Sequence, residues 1–283
     1  MLEQKRILTI NDVSCVGKCS LTIALPVISA LGIETNVLPT AILSTHTGGF
    51  QDFTFRDLTT DMLPIVKHWQ TLDLQFSGIY SGYLGNVEQI HIVEQILNEL
   101  KKEDTLIFID PVMGDAGKLY SKFSEEFPKK MRTLCKRADV LIPNMTEACL
   151  LLNRPYLKSP YTQEDIDEIL IALSALGAEI VCLTGISFTE KEIGAVMYDK
   201  KTGKRYEAFN KKISGFYHGT GDLFASILFG CIVQKMSLDV ALQLAVDFTM
   251  ESIARTQKAQ TDTRFGVQFE PLLWKLRQTI FEK

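Results

Sequence analysis

A glycine-rich turn that ends in an aspartate is the strongest chemical signal in this sequence. The segment His218-Gly219-Thr220-Gly221-Asp222 leads directly into an apolar helical pattern. Glycine lets the backbone approach a ligand closely, and the first turn of a helix offers unpaired N–H groups that suit a phosphate. The Asp222 carboxylate in the same turn could take a proton from an attacking hydroxyl. The segment predicts phosphoryl transfer to an alcohol, and the alternative is an ordinary turn with Asp222 as helix N-cap.

Two further acidic segments follow apolar, strand-like runs. Asp110 and Asp115 lie five residues apart on one loop, and such carboxylates suit a magnesium–phosphate site, because Mg²⁺ in proteins is held by one or two carboxylates and substrate oxygens. The alternative is a turn capped by Asp110. Glu147, with Asn144 nearby, could hold a metal directly or through water. The alternative there is a helix start with an N-cap and an acidic first turn.

Polar loops elsewhere could bind the second substrate. The loop Ser44–Phe50 follows a break at Pro39-Thr40, and we expect it to be a lid in which Thr47 and the Gly48 backbone contact the substrate. His46 could stack on or bond to a ring, or be structural, and Tyr83 could supply an aromatic wall.

The segment after the first predicted strand is similar to a P-loop but lacks two of its residues. Asp12 stands where a glycine is required, and Cys19 stands where a Ser or Thr must reach magnesium. The better interpretation is a strand-to-helix loop in which Asn11, Asp12 and Ser14 face a substrate. Cys15 and Cys19 have no neighbouring Cys or His pair, so free thiols are expected there rather than a zinc site.

The elements that must position these residues alternate between strand and helix. Near-continuous apolar strands separated by helical patterns predict an α/β fold, a mostly parallel sheet with helices on both faces, in one domain over residues 1–283. In such sheets ligands bind at the carboxyl ends of the strands, where the polar residues above fall. The predicted strands are Arg6–Thr9, Glu34–Leu38, Phe76–Tyr80, Leu106–Ile109, Val140–Ile142 and Ile180–Leu183, followed by a hairpin over Val196–Tyr198 and Lys204–Phe209.

Composition excludes several classes of partner. The chain has 283 residues, a net charge of −4 and no Lys/Arg block, which disfavours a nucleic-acid partner. No apolar run is long enough to span a membrane. The first ten residues lead straight into a strand-like run without a signal-peptide pattern, so a cytoplasmic location is expected.

Taken in chain order, the motifs resemble one family, the pyridoxal/pyridoxamine kinases of the ribokinase superfamily, over essentially the whole chain. This resemblance implies a ribokinase-like, three-layer α/β/α fold and a homodimer. It also implies ATP, Mg²⁺ and a monovalent cation, K⁺ or Na⁺, in transfer of the γ-phosphoryl group to the 5′-hydroxyl of a B6 vitamer for pyridoxal 5′-phosphate salvage. The motifs are Asn11-Asp12-Val13-Ser14, Pro39-Thr40 with Ser44–Gly48, Ser81–Gly85, Asp110–Asp115, Pro143–Glu147 and Gly219–Asp222.

The resemblance also implies roles for individual residues. Asp222 is the catalytic base, and Gly219, Thr220 and Gly221 form the anion hole for the transferring phosphoryl group. On the nucleotide side, Asp115 and Glu147 serve the magnesium–phosphate cluster, Asp110 and Asn144 lie close behind, and Thr184 contacts a nucleotide phosphate. On the vitamer side, Ser14 bonds the ring substituents, Thr47 and Gly48 close over the substrate, and Tyr83 packs near it.

Two alternatives stay open. The hydroxymethylpyrimidine (phosphate) kinases of thiamine synthesis share the fold and the glycine-rich segment, but many carry a cysteine where this chain has Asp222. A non-catalytic vitamer sensor would need no base. The segment Val267-Gln268-Phe269 only loosely resembles the family's adenine loop, so the sequence assigns no adenine contact.

Overall fold

The computed structural model describes residues 4–281 and is built around one large sheet. Within those residues the sheet has nine strands in the order β11-β10-β9-β8-β5-β4-β1-β2-β3. The strands from β9 to β2 run parallel, whereas β3, β10 and β11 are antiparallel to their neighbours. These strands are β1 (Arg6–Val16), β2 (Glu34–Thr45), β3 (Phe55–Asp57), β4 (Gly78–Ser81), β5 (Leu106–Ile109), β8 (Val140–Leu141), β9 (Ile180–Ile186), β10 (Glu192–Asp199) and β11 (Lys204–Lys211), and a separate hairpin pairs β6 (Gly114–Asp115) with β7 (Lys118–Leu119).

Helices cover both faces because side chains alternate along each buried strand. Leu8 and Ile79 point into one core, while their neighbours Ile7 and Tyr80 point into the other. One layer holds α2 (Thr59–Gln70), α3 (Val87–Leu100), α4 (Glu126–Cys135), α5 (Met145–Leu152) and α6 (Gln163–Ser174), and the other holds α1 (Leu21–Ala30), α7 (Thr220–Val233), α8 (Leu238–Ala259) and α9 (Leu273–Phe281).

The predicted fold class, a ribokinase-like three-layer arrangement, is confirmed. The single domain over 1–283 stays a prediction, and its ends at 1–3 and 282–283 lie outside the described residues. Among the helices of residues 4–281, none is both long and apolar enough to cross a membrane.

Two local predictions are wrong. Asn11, Asp12 and Ser14 do not lie on a strand-to-helix loop, because β1 continues to Val16. Likewise Pro39 does not break the chain, because β2 runs from Glu34 to Thr45 and Pro39 pairs in register with Asn11. Both strands continue beyond their apolar runs because each pairs with the other. The register shifts between Asn11 and Val13, where β2 has one extra residue, so that Thr40 and Ala41 lie opposite Asp12.

Candidate active site

A cavity of about 450 Å³ lies at the carboxyl ends of the central strands. Its polar wall is made by the ends of β5, β8 and β9 together with the start of α7. All the residues predicted for the nucleotide side line it: Asp110, Asp115, Asn144, Glu147, Thr184, Gly219, Thr220, Gly221 and Asp222.

The start of α7 presents a helix N-terminus to this cavity. Gly219 is its N-cap in the left-handed conformation, with φ +78°. A Cβ at Gly219 would lie 2.3 Å from the Lys18 carbonyl oxygen, so both backbone conformation and space require glycine. The unpaired N–H groups of the first turn therefore face the cavity, as an anion-binding site requires. Asp222 lies inside this turn, so the alternative in which it is the N-cap is wrong.

Asp222 has the environment of a general base. Burial, together with the charge of Asp12, raises the pKa of its carboxyl to about 6. The Ser20 backbone N–H and the Asn11 side chain oppose this shift by favouring the ionised form. A carboxyl with a pKa near 6 is ionised at neutral pH and still basic enough to accept a proton.

Glu147 closes the floor of the cavity. Asn144 and Glu147 form a capping box at the start of α5: Asn144 Oδ1 accepts from the Glu147 N–H (3.0 Å), and Glu147 Oε2 accepts from the Asn144 N–H (2.8 Å). The helix-start interpretation is therefore present, and the side chain still lines the cavity. Burial raises the pKa of Glu147 to about 8, although N–H groups of Asn144, Met113 and Gly114 oppose the shift.

Asp110 adds to an excess of negative charge. Burial raises its pKa well above the usual range, and the charges of Glu147 and Asp222 raise it further. Asp115 is exposed at the cavity mouth, on β6. Among the described residues no group of three or more His, Cys, Asp or Glu side chains could hold a metal alone. A cation that neutralises these carboxylates would therefore also need ligands from a bound nucleotide or water.

Ser14 and Tyr83, both predicted for the second substrate, do not line this cavity but contact Asn11 and Asp12, the neighbours of Asp222. Asn11 Oδ1 accepts from the Tyr83 backbone N–H (2.8 Å), which joins β1 to the chain after β4. Ser14 is fully buried, and its hydroxyl donates to Asp12 Oδ2 (3.2 Å). Burial and the charges of Asp12 and Asp57 raise the pKa of Tyr83 to about 12, so its phenol is neutral.

The predicted lid loop meets the segment that leads to the anion hole. Thr47 is exposed. The Gly48 N–H donates to His46 Nδ1 (3.1 Å), and a Cβ at Gly48 would lie 2.3 Å from the His218 ring. The His46 ring is 4.7 Å from the His218 ring, and its Nε2 is 2.6 Å from the Arg264 carbonyl oxygen. These contacts give His46 a structural role, and its contact with a substrate ring stays a prediction.

Sequence reasoning missed the apolar wall of the cavity. Val246, Met250 and Ile253 repeat on one face of α8, a spacing that is equally typical of core residues. Val267 and Phe269, from the segment compared with the adenine loop, are buried in the core. Other unpredicted lining residues are Tyr120, Ile193, Lys212, Ile213, Phe216, Tyr217, His218 and Phe224.

The fold and the site together define a ribokinase-like kinase that acts on a small molecule. The family model described as phosphomethylpyrimidine kinase matches residues 24–267, well over half of the chain. The chain belongs to this family. The resemblance to pyridoxal/pyridoxamine kinases drawn from the motifs is confirmed.

Three relatives illustrate this similarity. A Bacteroides thetaiotaomicron protein, provisionally described as a phosphomethylpyrimidine kinase and solved with pyridoxal, is 37% identical with a TM-score of 0.92, and the match covers 97% of this chain and 96% of that one. Pyridoxal kinase from Lactobacillus plantarum is 33% identical with a TM-score of 0.89 and 98% coverage of both chains. Pyridoxal kinase from Arabidopsis thaliana is 28% identical over 89% of this chain and 82% of its own.

Proposed function

We propose that this chain is an ATP-dependent pyridoxal kinase that phosphorylates the 5′-hydroxyl of pyridoxal, pyridoxamine or pyridoxine. The observation that carries the proposal is the place of Asp222. It lies between a nucleotide-sized cavity that ends at a helix N-terminus and the residues around Asn11 and Tyr83. The pyridoxal complex of a 37% identical relative and a 33% identical pyridoxal kinase support the vitamer as the substrate.

The reaction follows from these positions. Asp222 accepts the proton of the 5′-hydroxyl while the oxygen of that hydroxyl attacks the γ-phosphorus. The bond between this phosphorus and the β–γ bridging oxygen breaks, so ADP leaves. Backbone N–H groups of Gly219, Thr220 and Gly221 stabilise the charge on the transferring group. Removing one such donor commonly costs about 3–4 kcal/mol of transition-state stabilisation. Thr184 and Asn144 line the same cavity, where they can contact the nucleotide phosphates.

The donor set fits Mg²⁺. Asp115 and Glu147 would hold the ion, directly or through water, and it would neutralise phosphate charge during transfer. Burial raises the pKa of Glu147, and a cation bound beside it would favour its ionised form. A monovalent cation, K⁺ or Na⁺, belongs to the same proposal. Asp110, buried among like charges, supports it.

Two further parts of the proposal concern assembly and location. The ends of the neighbouring strands β1, β2 and β3 carry exposed apolar side chains: Val16 (48%) and Phe55 (36%) lie on one face of the sheet, and Ile42 (42%) lies on the other. Exposed apolar side chains on both faces of one sheet edge are typical of an interface, so they support a homodimer. The cytoplasmic location stays a prediction of the sequence, as does the absence of nucleic-acid and membrane partners.

The deciding experiment is an ADP-release assay with Mg-ATP and four acceptors under one condition: pyridoxal, pyridoxamine, pyridoxine and hydroxymethylpyrimidine. We expect the highest kcat/KM with a B6 vitamer, since discrimination is a ratio of these values. A higher kcat/KM for the pyrimidine would assign the chain to thiamine synthesis, which its family description also allows. Binding of a vitamer without turnover would instead favour a sensor.

A further inference from the structure

The Asn11 side chain beside Asp222 has a fixed orientation. Its Oδ1 accepts from two backbone N–H groups, those of Asp12 (3.0 Å) and Tyr83 (2.8 Å). Two donors on one side-chain atom identify that atom as the oxygen. The Nδ2 group must therefore point the other way, and a Cβ at Gly82 would lie only 2.4 Å from it. Within residues 4–281 the buried Nδ2 finds no hydrogen-bond partner of good geometry, although the side chain is close enough to favour ionised Asp222.

A second donor to Asp222 is held by Asp12. Ser20 has φ +50° and ψ −129°, a backbone conformation that residues other than glycine rarely adopt. Its hydroxyl donates to Asp12 Oδ1 at 2.5 Å, and both side chains are buried. This bond holds Ser20 in the strained conformation, which places its backbone N–H close enough to Asp222 to favour the ionised carboxylate.

We propose that Asn11, Asp12 and Ser20 are positioning residues that hold the Asp222 carboxylate by two donors, the Asn11 amide and the Ser20 backbone N–H. The consecutive residues Asn11 and Asp12 can serve the same site because the pairing of β1 with β2 is irregular there: two residues of β2, Thr40 and Ala41, lie opposite Asp12. The inference rests on the proposed function, in which Asp222 is the base. It adds that residues of β1 and of the turn before α1 set how readily the Asp222 carboxylate accepts a proton.

Other ionisable groups around Asp222 must be counted in any test by pH. Each of them lies close enough to interact with its charge, and none is changed in the variants below except Asp12. They are Asp12 on β1, Cys19 before α1, Tyr80 on β4, Asp110 after β5 and Tyr120 after β7.

Two nearly isosteric substitutions change the charge beside Asp222 in opposite directions. Asn11→Asp keeps an acceptor for both backbone N–H groups but replaces the donor by a carboxylate oxygen. We expect the acid limb of the kcat/KM profile to move up by about one pH unit, because a like charge disfavours ionised Asp222. Asp12→Asn keeps an acceptor for Ser20 but removes a negative charge. We expect that limb to move down by about half a unit or more.

Ser20 supplies a backbone test. Ser20→Ala loses the bond to Asp12 and still resists φ +50°, so the N–H should leave Asp222, and the limb should move up. Ser20→Gly loses the same hydroxyl but adopts this conformation freely, so its limb should stay nearer to that of the wild type. A merely structural role would reduce activity in both variants without moving the limb.

Carboxyl ¹³C NMR titration of the substrate-free variants gives a readout that needs no turnover, with the Asp222 signal assigned by its loss in Asp222→Asn. Opposite shifts for Asn11→Asp and Asp12→Asn support the inference. Equal or absent shifts in folded variants overturn it. If the wild type shows no vitamer-dependent turnover, the proposed function fails, and the titration still decides whether these residues hold Asp222.

Discussion

As the proposed base, the Asp222 side chain must meet two opposing requirements. It must be buried enough to be basic and solvated enough to be ionised. Burial and the charge of Asp12 make the carboxyl more basic, while the donors Ser20 and Asn11 favour its ionised form. Because the opposing effects leave a pKa of about 6, most of the carboxyl is ionised at pH 7. A carboxyl with its ordinary pKa near 3.8 would be a weaker base.

Asp222→Asn should therefore lower kcat by about 10²–10⁴-fold, while the KM for the vitamer changes little, because only the proton acceptor is lost. Steady-state kinetics with a B6 vitamer and Mg-ATP measure this. Asp104→Asn, at an exposed loop position, is the matched control and should keep wild-type kcat. Near-normal turnover in Asp222→Asn would remove Asp222 as the base.

The pH dependence follows from the same group. The ionised carboxylate is the active form, and its pKa is raised to about 6. Activity should therefore rise with pH through about 6 and fall about tenfold per unit below that value. A kcat/KM profile from pH 4.5 to 8 measures this, with circular dichroism as the control for folding at each pH. A flat profile over this range would contradict the assigned pKa.

Single residues also mark where prediction from sequence ended. Asp222 and Asp110 were predicted because acids after glycine-rich or strand-like segments have a chemical reason to be there. Met250 and Lys212 were not, because an apolar residue on a helix and a lysine before a loop look the same whether they line a cavity or not. Their roles depend on the packing of α8 against the sheet, which no local pattern records.

At the scale of elements, the start of α7 depends on one glycine. Gly219→Ala introduces a Cβ that meets the Lys18 carbonyl and forces a side chain into φ +78°. Gly203→Ala is a matched control, because Gly203 has φ +67° in the β10–β11 turn with open space around it. We expect both variants to lose stability, by about 1 kcal/mol or more. Only Gly219→Ala should also lower kcat, and thermal melts with kinetics separate the two effects. Equal kcat in both would argue against a role for the α7 turn in transfer.

The α5 capping box gives a second comparison between elements. Glu147→Gln loses one acceptor oxygen and the negative charge, so the Mg²⁺ concentration for half-maximal velocity should rise by about 10–100-fold. Asp165→Asn changes the same position of the capping box of α6, where Thr162 is the N-cap. Both variants should lose about 0.5–2 kcal/mol of stability. An unchanged Mg²⁺ titration in Glu147→Gln would count against its metal role.

The elements themselves were largely predictable, and their ends were not. Strand β5 has the predicted range, Leu106–Ile109, because its residues form an uninterrupted apolar run. Strand β1 was cut short at Thr9 because Asn11, Asp12 and Ser14 are polar, and polar residues favour loops. They stay in the strand because β2 pairs with them and because they hydrogen-bond among themselves. The residues that are least typical of a strand, Asn11, Asp12 and Ser14, are therefore the ones predicted to serve the active site.

At the scale of the whole molecule, the sheet separates stability from chemistry. The two apolar cores lie on its opposite faces, whereas the site lies at its carboxyl edge and draws on strands that are far apart in sequence. The order β8-β5-β4-β1 brings the loops after Ile109 and Leu141 next to the end of β1. This order explains how motifs spread over the chain meet at Asp222. Asp222 itself lies on α7, in the helical layer that also holds α1, α8 and α9.

The edge of the sheet at the ends of β1, β2 and β3, with Val16 and Phe55 exposed on one face and Ile42 on the other, predicts the state of assembly. We expect the wild type to sediment as a dimer, since burying this edge removes apolar surface from water. Ile42→Asp places a charge there and should shift the protein to monomers at micromolar concentration. Ile171→Asp, on α6 and 60% exposed, is the matched control and should leave the dimer intact.

Analytical ultracentrifugation distinguishes the monomer from the dimer. A monomeric wild type, or equal dissociation of both variants, would show that this edge is not the interface. Dissociation of Ile42→Asp with kcat retained would show that each subunit completes its own site.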